Sequence, residues 1–157
     1  MNRLSLIAQE GALKSYFPGS KVNRKGDEEL TWTGKVIPSP LSATYTLRLQ
    51  YKYKEGAKVY VVEPKPLALA KGKVVLPHVY STPEQRLCLY YPSGNEWDTS
   101  MYYVKTLIPW ACEWLLHYEC WVATDTWHGG GIEHETEAEK QANKAKEQLN
   151  DESKSTK

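Results

Sequence analysis

Residues 45–54 read YTLRLQYKYK, so that a tyrosine or leucine alternates with a polar side chain at every position. Successive side chains of a strand point to opposite faces of the sheet, and this strict period of two is typical of a strand with one buried and one solvated face. We therefore predict a half-buried antiparallel strand here, with its leucines and tyrosines facing the core.

Strand patterns continue on both sides of this stretch. Residues 30–36 alternate in the same way, turn residues occupy positions 38–40, and residues 58–62 are rich in β-branched and aromatic side chains. Residues 73–76, just past a glycine, are a candidate fourth strand, whereas the charged, glycine-containing residues 21–27 are expected to form a loop. Short strands joined by tight turns predict a four-stranded antiparallel meander.

Helical patterns flank the predicted meander. Residues 4–17 predict an N-terminal helix that ends at Pro18. A long segment without sustained periodicity, residues 77–95, separates the strands from a helix that should begin at Thr99 or Ser100, with Pro109 at a kink or as the first residue of a second helix. The fold class expected is therefore α+β, one sheet with flanking helices.

Composition limits the kinds of protein that the chain can be. Its 157 residues fit one domain, and a net charge of +1 gives no strong field toward nucleic acid or a membrane surface. Three cysteines at irregular positions do not suggest a disulfide framework, and no apolar run approaches the ~20 residues of a membrane span. A secretory signal pattern is also missing from the first twenty residues. We expect a cytoplasmic protein.

The last part of the sequence differs from the rest. Residues 133–157 contain seven acidic residues and five lysines but no aromatic residue. So polar a segment buries too little surface to offset the entropy of ordering it. We predict a folded domain over residues 1–132 and a charged tail over residues 133–157 that is disordered or a frayed helix.

Cys88 is the strongest candidate for chemistry, because it lies in the irregular segment rather than on a helix face. A thiol can attack an activated carbonyl, hold the acyl group as a thioester and pass it on without any cofactor. A small buried packing residue is the competing interpretation for Cys88, and it is the favoured one for Cys112 and Cys120, which lie among tryptophans and leucines of the predicted helix.

A zinc site is an alternative use of the cysteines. Cys112, His117 and Cys120 are close in sequence, and His128 and His134 follow them. Structural zinc sites generally show paired cysteines two to four residues apart, and the sequence has no Cys-x-x-Cys pair. We therefore predict neither a metal nor a cofactor.

The order of these features resembles the ubiquitin-conjugating enzymes. In that family a His-Pro-Asn motif precedes the catalytic cysteine, which lies ten residues after the histidine; here His78 and Cys88 are ten residues apart. The family cysteine lies in Ile-Cys-Leu, and Cys88 lies between two leucines. A family tryptophan follows about eight residues later and precedes a helix, and Trp97 follows here by nine. The resemblance covers roughly residues 4–120 and implies a ubiquitin-conjugating-enzyme-like fold, with a long active-site loop and C-terminal helices.

The sequence departs from the family motif at one functional position. Residues 78–80 read His-Val-Tyr, so Tyr80 stands where the family has the asparagine credited with stabilising the oxyanion. A tyrosine hydroxyl can also donate to an oxyanion, although Tyr80 could equally be an aromatic residue packed under the loop. Glu96 and Asp98, on either side of Trp97, could orient an incoming lysine or could serve as charges near a helix N-terminus.

The divergent motif on a stand-alone domain is most similar to the bacterial conjugating-enzyme-like proteins of type II (short) CBASS anti-phage operons. That resemblance implies a cGAS-like nucleotidyltransferase as the donor of a C-terminal acyl group and a lysine of a target protein as the acceptor. Because the sequence has no Gly-rich phosphate loop, we expect no ATP-dependent activation by this protein alone. A homodimer is compatible with the sequence.

Three hypotheses follow for the function. The first is a thioester-forming acyltransferase that uses Cys88. The second is a catalytically inactive binding module with the same fold. The missing asparagine favours this hypothesis, whereas the retained cysteine argues against it. The third is a thiol hydrolase that trims the partner's C-terminus, with His78 as the base beside the Cys88 sulfur.

Overall fold

A computed structural model describes residues 3–91 and 94–129, together with Ala145 and Gln148. A sheet of six strands packs against two α-helices, and a short 3-10 helix precedes the second of them. In chain order the elements are α1 (Leu6–Tyr16), β1 (Lys21–Lys25), β2 (Glu29–Val36), β3 (Tyr45–Lys52), β4 (Gly56–Glu63), β5 (Val79–Ser81), β6 (Arg86–Leu87), the 3-10 helix Tyr103–Lys105 and α2 (Leu107–Thr124).

The sheet is antiparallel throughout, in the order β1-β2-β3-β4-β6-β5. The predicted alternation of residues 45–54 is confirmed, because every second residue of β3 is buried from Tyr45 to Tyr51. β2 alternates in step with it, with Trp32 and Gly34 on the buried face. Buried side chains of the sheet, α1 and α2 join in one hydrophobic cluster, so the core lies between one sheet face and the two helices.

Two of the strand predictions are wrong. Residues 21–27 were expected to form a loop, yet Lys21–Lys25 pairs along its whole length with β2 as an edge strand. Its side chains are almost all exposed, so no apolar alternation marks it in the sequence. Residues 73–76 form no strand; Val75 and Leu76 are buried there in an irregular segment. The meander therefore consists of β1–β4.

The long segment of residues 77–95 is more ordered than expected. It contains the short hairpin of β5 and β6, which adds two strands to the edge of β4. Gln85 fixes this hairpin to the sheet: its amide donates to the Val61 carbonyl at 2.9 Å and to the Pro64 carbonyl at 3.0 Å, and its side-chain oxygen accepts from the Leu67 N–H at 2.6 Å. These strands are short, and prolines and a buried polar residue lie next to them. The sequence therefore shows no hydrophobic periodicity here.

The first helix lies close to its predicted place, whereas α2 begins seven or eight residues later than predicted. Ser5 caps α1 by accepting from the Ala8 N–H at 3.2 Å. α2 begins at Leu107 rather than at Thr99 or Ser100, where the chain forms turns instead. Pro109 is tolerated because it lies in the first turn of α2, where a backbone N–H has no partner within the helix.

The predicted boundary at residue 132 and the tail of residues 133–157 lie outside the described residues, apart from Ala145 and Gln148, which are helical and exposed. Among the described helices, none has the length and apolar character needed to cross a bilayer.

Replacing Gly34 by alanine tests the packing of the sheet against the core. A Cβ atom on Gly34 would lie 2.3 Å from a ring atom of Trp32, whose side chain is completely buried and has no room to move. We expect Gly34→Ala to lower the free energy of unfolding by about 1–3 kcal/mol, measured by urea denaturation.

A second glycine provides the matched control. A Cβ atom on Gly11, inside α1, would meet no atom within 4 Å. Gly11→Ala should therefore raise the free energy of unfolding, by up to ~1 kcal/mol. A loss of stability of the same size in both variants would contradict this packing.

Candidate active site

The β5–β6 hairpin brings His78 and Cys88 together. The Cys88 N–H donates to the His78 carbonyl at 3.1 Å, one step beyond the paired residues Val79 and Leu87. The separation of ten residues in sequence therefore corresponds to two positions facing each other across a hairpin. The neighbouring Leu87 is buried, which fixes the Cys88 backbone at the edge of the core.

Tyr80 is the extra residue of a β-bulge. Val79 pairs with Leu87 and Ser81 pairs with Arg86, so two steps along β5 match one step along β6. A bulge redirects the side chain that it contains. The Tyr80 hydroxyl donates to the Tyr90 carbonyl at a distance of 3.4 Å. Its single proton can instead be donated to the Cys88 sulfur, and this hydrogen bond lowers the pKa of the thiol.

The thiol of Cys88 is half-buried and free of any disulfide. Its Sγ atom lies 3.9 Å from the Tyr90 carbonyl oxygen, to which it donates. Burial raises the pKa of Cys88, and the negative charge of Glu96 raises it too, whereas the Tyr80 hydrogen bond and the positive charge of Arg86 lower it. The net shift of the pKa is upward, so the resting group at neutral pH is the thiol.

Tyr80 is held between the thiol and a cation. The Arg86 guanidinium lies over the Tyr80 ring, 4.3 Å from its centre. Burial and the neighbouring thiol raise the pKa of Tyr80, so its hydroxyl keeps its proton at neutral pH and remains a hydrogen-bond donor.

His78 contributes to the site chiefly through its backbone. Its carbonyl accepts from the Trp114 indole N–H of α2 at 3.0 Å as well as from Cys88. Its imidazole is 8% exposed and stacks on Trp127, with ring centres 4.9 Å apart. Trp127 also packs against Trp114 and His117. The His78 backbone is left-handed, with φ of 48°.

The side chains of Glu96, Trp97 and Asp98 lie in three different environments. Glu96 is exposed, and its charge acts on the Cys88 thiol. Trp97 is buried between Tyr90 and Tyr103, with ring centres 5.2 Å and 6.3 Å away. Asp98 accepts from the Ser100 N–H at 2.8 Å and from the Ser100 hydroxyl, and these hydrogen bonds lower the pKa of its carboxyl.

The structure thus groups Cys88, Tyr80 and the Glu96 charge at one place, with the His78 backbone behind them, while Asp98 stabilises a turn. Two neighbours of the thiol, Arg86 and Tyr90, are missing from the sequence-based candidates. The only signal for them is that they flank Cys88 at spacings of two residues, which places residues on one face of an extended chain.

The residues of the alternative zinc site do not form a cluster. Among residues 3–91 and 94–129, no group of three or more His, Cys, Asp and Glu side chains is arranged to hold a metal. Cys112 is half-buried, burial raises the pKa of its thiol, and Cys120 is exposed. His134 lies outside the described residues.

The order of the active-site hairpin, the buried tryptophan and α2 agrees with a family relationship. A family model described as "Type II CBASS E2 protein" matches residues 9–135, most of the chain. The chain belongs to the type II CBASS E2 proteins. This membership supports a role in anti-phage defence for an E2-like protein, and the mixed α/β fold with its antiparallel sheet is compatible with an E2-like fold. No curated protein matches the chain.

Replacing Tyr80 by phenylalanine tests the hydrogen bond to the sulfur. That hydrogen bond lowers the pKa of Cys88, so Tyr80→Phe should raise the pKa further and slow alkylation of Cys88 at pH 8. The measurement is the rate of iodoacetamide labelling against pH, followed by peptide mass spectrometry. The half-labelling pH should move upward.

The control is Tyr91→Phe, which removes the hydroxyl of an exposed tyrosine three residues after Cys88. Its labelling curve should coincide with that of the unchanged protein. An unchanged curve for Tyr80→Phe would show that the hydroxyl does not act on the thiol.

Proposed function

We propose that this protein is a cysteine-dependent protein-conjugating enzyme. Cys88 accepts the activated C-terminal acyl group of a partner protein as a thioester and transfers it to a lysine of a target. The observation that carries the proposal is a half-buried thiol beside a tyrosine hydroxyl: the Cys88 sulfur and the Tyr80 hydroxyl both face the Tyr90 carbonyl, at 3.9 Å and 3.4 Å. Hydroxyl donors near the reacting carbonyl are the feature that acyl transfer requires.

In the first step the Cys88 thiolate attacks the carbonyl carbon of the activated acyl group. The new carbon–sulfur bond replaces the bond to the activating group, which leaves with its electron pair, while the thiol proton goes to solvent. Negative charge develops on the carbonyl oxygen within reach of the Tyr80 hydroxyl. Tyr80 can therefore take the part of the asparagine that the family motif has at this position.

In the second step a lysine amine attacks the thioester, and the Cys88 thiolate leaves. The exposed carboxylate of Glu96 lies near enough to act on the thiol electrostatically, and it is the group suited to orient the amine and accept its proton. Asp98 is engaged by Ser100, so its part is to hold the turn after Trp97.

The raised pKa of Cys88 suits a carrier. A thiolate of higher pKa is a poorer leaving group, so the thioester it forms is less easily lost to water. The same thiolate, once formed, is a stronger nucleophile. The site therefore favours retention of the acyl group until an amine is positioned beside it.

For the partner, we propose a cGAS-like nucleotidyltransferase whose C-terminus is the acyl donor. The resemblance to CBASS operon proteins suggests this partner, and membership of the type II CBASS E2 proteins is consistent with it. The hydrolase alternative needs an imidazole base beside the sulfur, but the His78 ring is stacked on Trp127. A binding module would need neither the Cys88 thiol nor the Tyr80 hydroxyl beside it.

The test uses the protein co-expressed with the nucleotidyltransferase of the same operon. The unchanged protein should form a covalent adduct that reductant removes, and Cys88→Ser should form an ester that resists reductant or no adduct at all. Cys112→Ser is the matched control, because that thiol lies on α2 and should leave the adduct unchanged.

The alternatives give different results in the same experiment. Shortening of the nucleotidyltransferase without an adduct, lost in Cys88→Ser, would indicate the hydrolase. A stable complex and full phage resistance in Cys88→Ala would indicate the binding module. Either result would overturn the proposed transfer reaction.

A further inference from the structure

A groove of about 110 Å³ opens beside the candidate active site, where β4 and β6 separate. One wall consists of Ala57, Lys58 and Val59 of β4, and the other consists of Leu87, Leu89 and Tyr90. The two strands pair at Tyr60 and Arg86. Toward the start of β4 the described chain offers no further pairing, and the groove occupies the space between the strands.

The β4 side of the groove is an unpaired strand edge. The Val61 N–H donates to the Gln85 carbonyl at 3.0 Å, so it points away from β3 and toward β6. Alternate residues of a strand direct their backbone groups to the same side, and the N–H groups of Val59 and Ala57 therefore also point into the groove. Within the described residues, the Ala57 N–H has no backbone hydrogen bond on that side, because β6 ends at Leu87, opposite Val59.

The groove also shares two residues with the thiol. Tyr80 and Tyr90 line it, and the same Tyr80 hydroxyl and Tyr90 carbonyl contact the Cys88 sulfur. An acyl group held on that sulfur is the end of a polypeptide, and the residues before it must leave the site along the surface. Because the two tyrosines line the groove, it lies beside the thiol and offers those residues a path.

We propose that this groove binds the last residues of the acyl donor as an added β-strand. The inference rests on the proposed thioester function and identifies how the donor is recognised: by backbone hydrogen bonds to the edge of β4 rather than by a fixed sequence. Addition of a strand to a free sheet edge is a general mode of peptide recognition. The donor supplies the partner that the Ala57 N–H lacks.

The dimensions and lining define the donor segment. From Tyr60 to Ala57 the strand advances three residues, or roughly 10 Å, which an extended peptide covers with three or four residues. Ala57, Val59, Leu89 and the α2 residue Leu107 form an apolar part of the lining, next to the charged side chains of Glu55, Lys58 and Arg86. We therefore expect an extended chain end with small or aliphatic side chains just before the reacting carbonyl.

The test uses a synthetic probe that is already activated, acetyl-Ala-Val-Ala-Val-Ala-Gly as its 2-mercaptoethanesulfonate thioester, with the full-length protein. The Cys88 thiolate attacks the thioester carbonyl, its carbon–sulfur bond forms, and mercaptoethanesulfonate leaves with the electron pair. A series of probes carries a single N-methyl group at each successive amide. Peptide mass spectrometry measures the rate of acylation at Cys88.

If the probe binds as a strand, only alternate amides face β4. N-methylation at those positions should slow Cys88 acylation by about five- to tenfold, while the intervening positions should have little effect. Cys120, an exposed thiol of the same molecule, is the internal control, and its acylation should show no alternation. A flat profile at Cys88, with loading as fast as for the unmethylated probe, overturns the groove and leaves the carrier function intact.

Absence of any acylation at Cys88, with normal acylation at Cys120, overturns the carrier function and the groove with it. A variant gives a second measurement. Ala57→Pro removes the N–H that faces the groove but none that pairs with β3. The unchanged protein should react faster with the peptide probe than with the simple acetyl thioester, and Ala57→Pro should remove most of this difference in rate. If the variant keeps the full difference and its circular dichroism spectrum is unchanged, strand addition is contradicted.

Discussion

The backbone carbonyl of His78 accepts two hydrogen bonds, from the Cys88 N–H and from the Trp114 indole. The first joins the two sides of the β5–β6 hairpin, and the second joins the hairpin to α2. Because both donors lie in or beside the core, the thiol is fixed relative to the sheet and the helix at once. The chain must adopt a left-handed backbone at His78 to present its carbonyl in this way, and the cost of that conformation is offset by the two bonds.

This arrangement explains the use of the residues around the thiol. At the bulge, β5 contains one residue more than β6, and this extra residue, Tyr80, lies beside the sulfur. Arg86, two residues before Cys88, covers the Tyr80 ring and adds positive charge beside a thiol that burial makes reluctant to ionise. The site thus places a tyrosine hydroxyl beside a thiol of raised pKa, and a thiolate of higher pKa is both a stronger nucleophile and a poorer leaving group.

Periodicity was enough to predict the centre of the fold. Strict alternation identifies β3 because a half-buried strand must alternate. The ten-residue spacing of His78 and Cys88 suggests the family because the length of the hairpin fixes this spacing. The edge strand β1 escaped prediction because its exposed side chains need no apolar pattern. The start of α2 was misplaced because turns after Asp98 bury aromatic residues as a helix would. Strand register decides that Arg86 and Tyr90 lie beside the thiol and that one edge of β4 is open. Side-chain composition does not encode register directly.

The packing around Trp127 has a practical consequence for shortened versions of the protein. The ring lies after the end of α2 and close to the start of the charged tail, yet it stacks on His78 at the back of the active site. A Cβ atom on Gly129 would lie 2.7 Å from His117 and 2.9 Å from the Trp127 indole, so this glycine allows the chain to pass closely over both rings. A truncation made to remove the tail for crystallisation must therefore keep the chain through Gly129, since a cut only three residues earlier would remove the aromatic ring that stacks on His78 beside the β5–β6 hairpin.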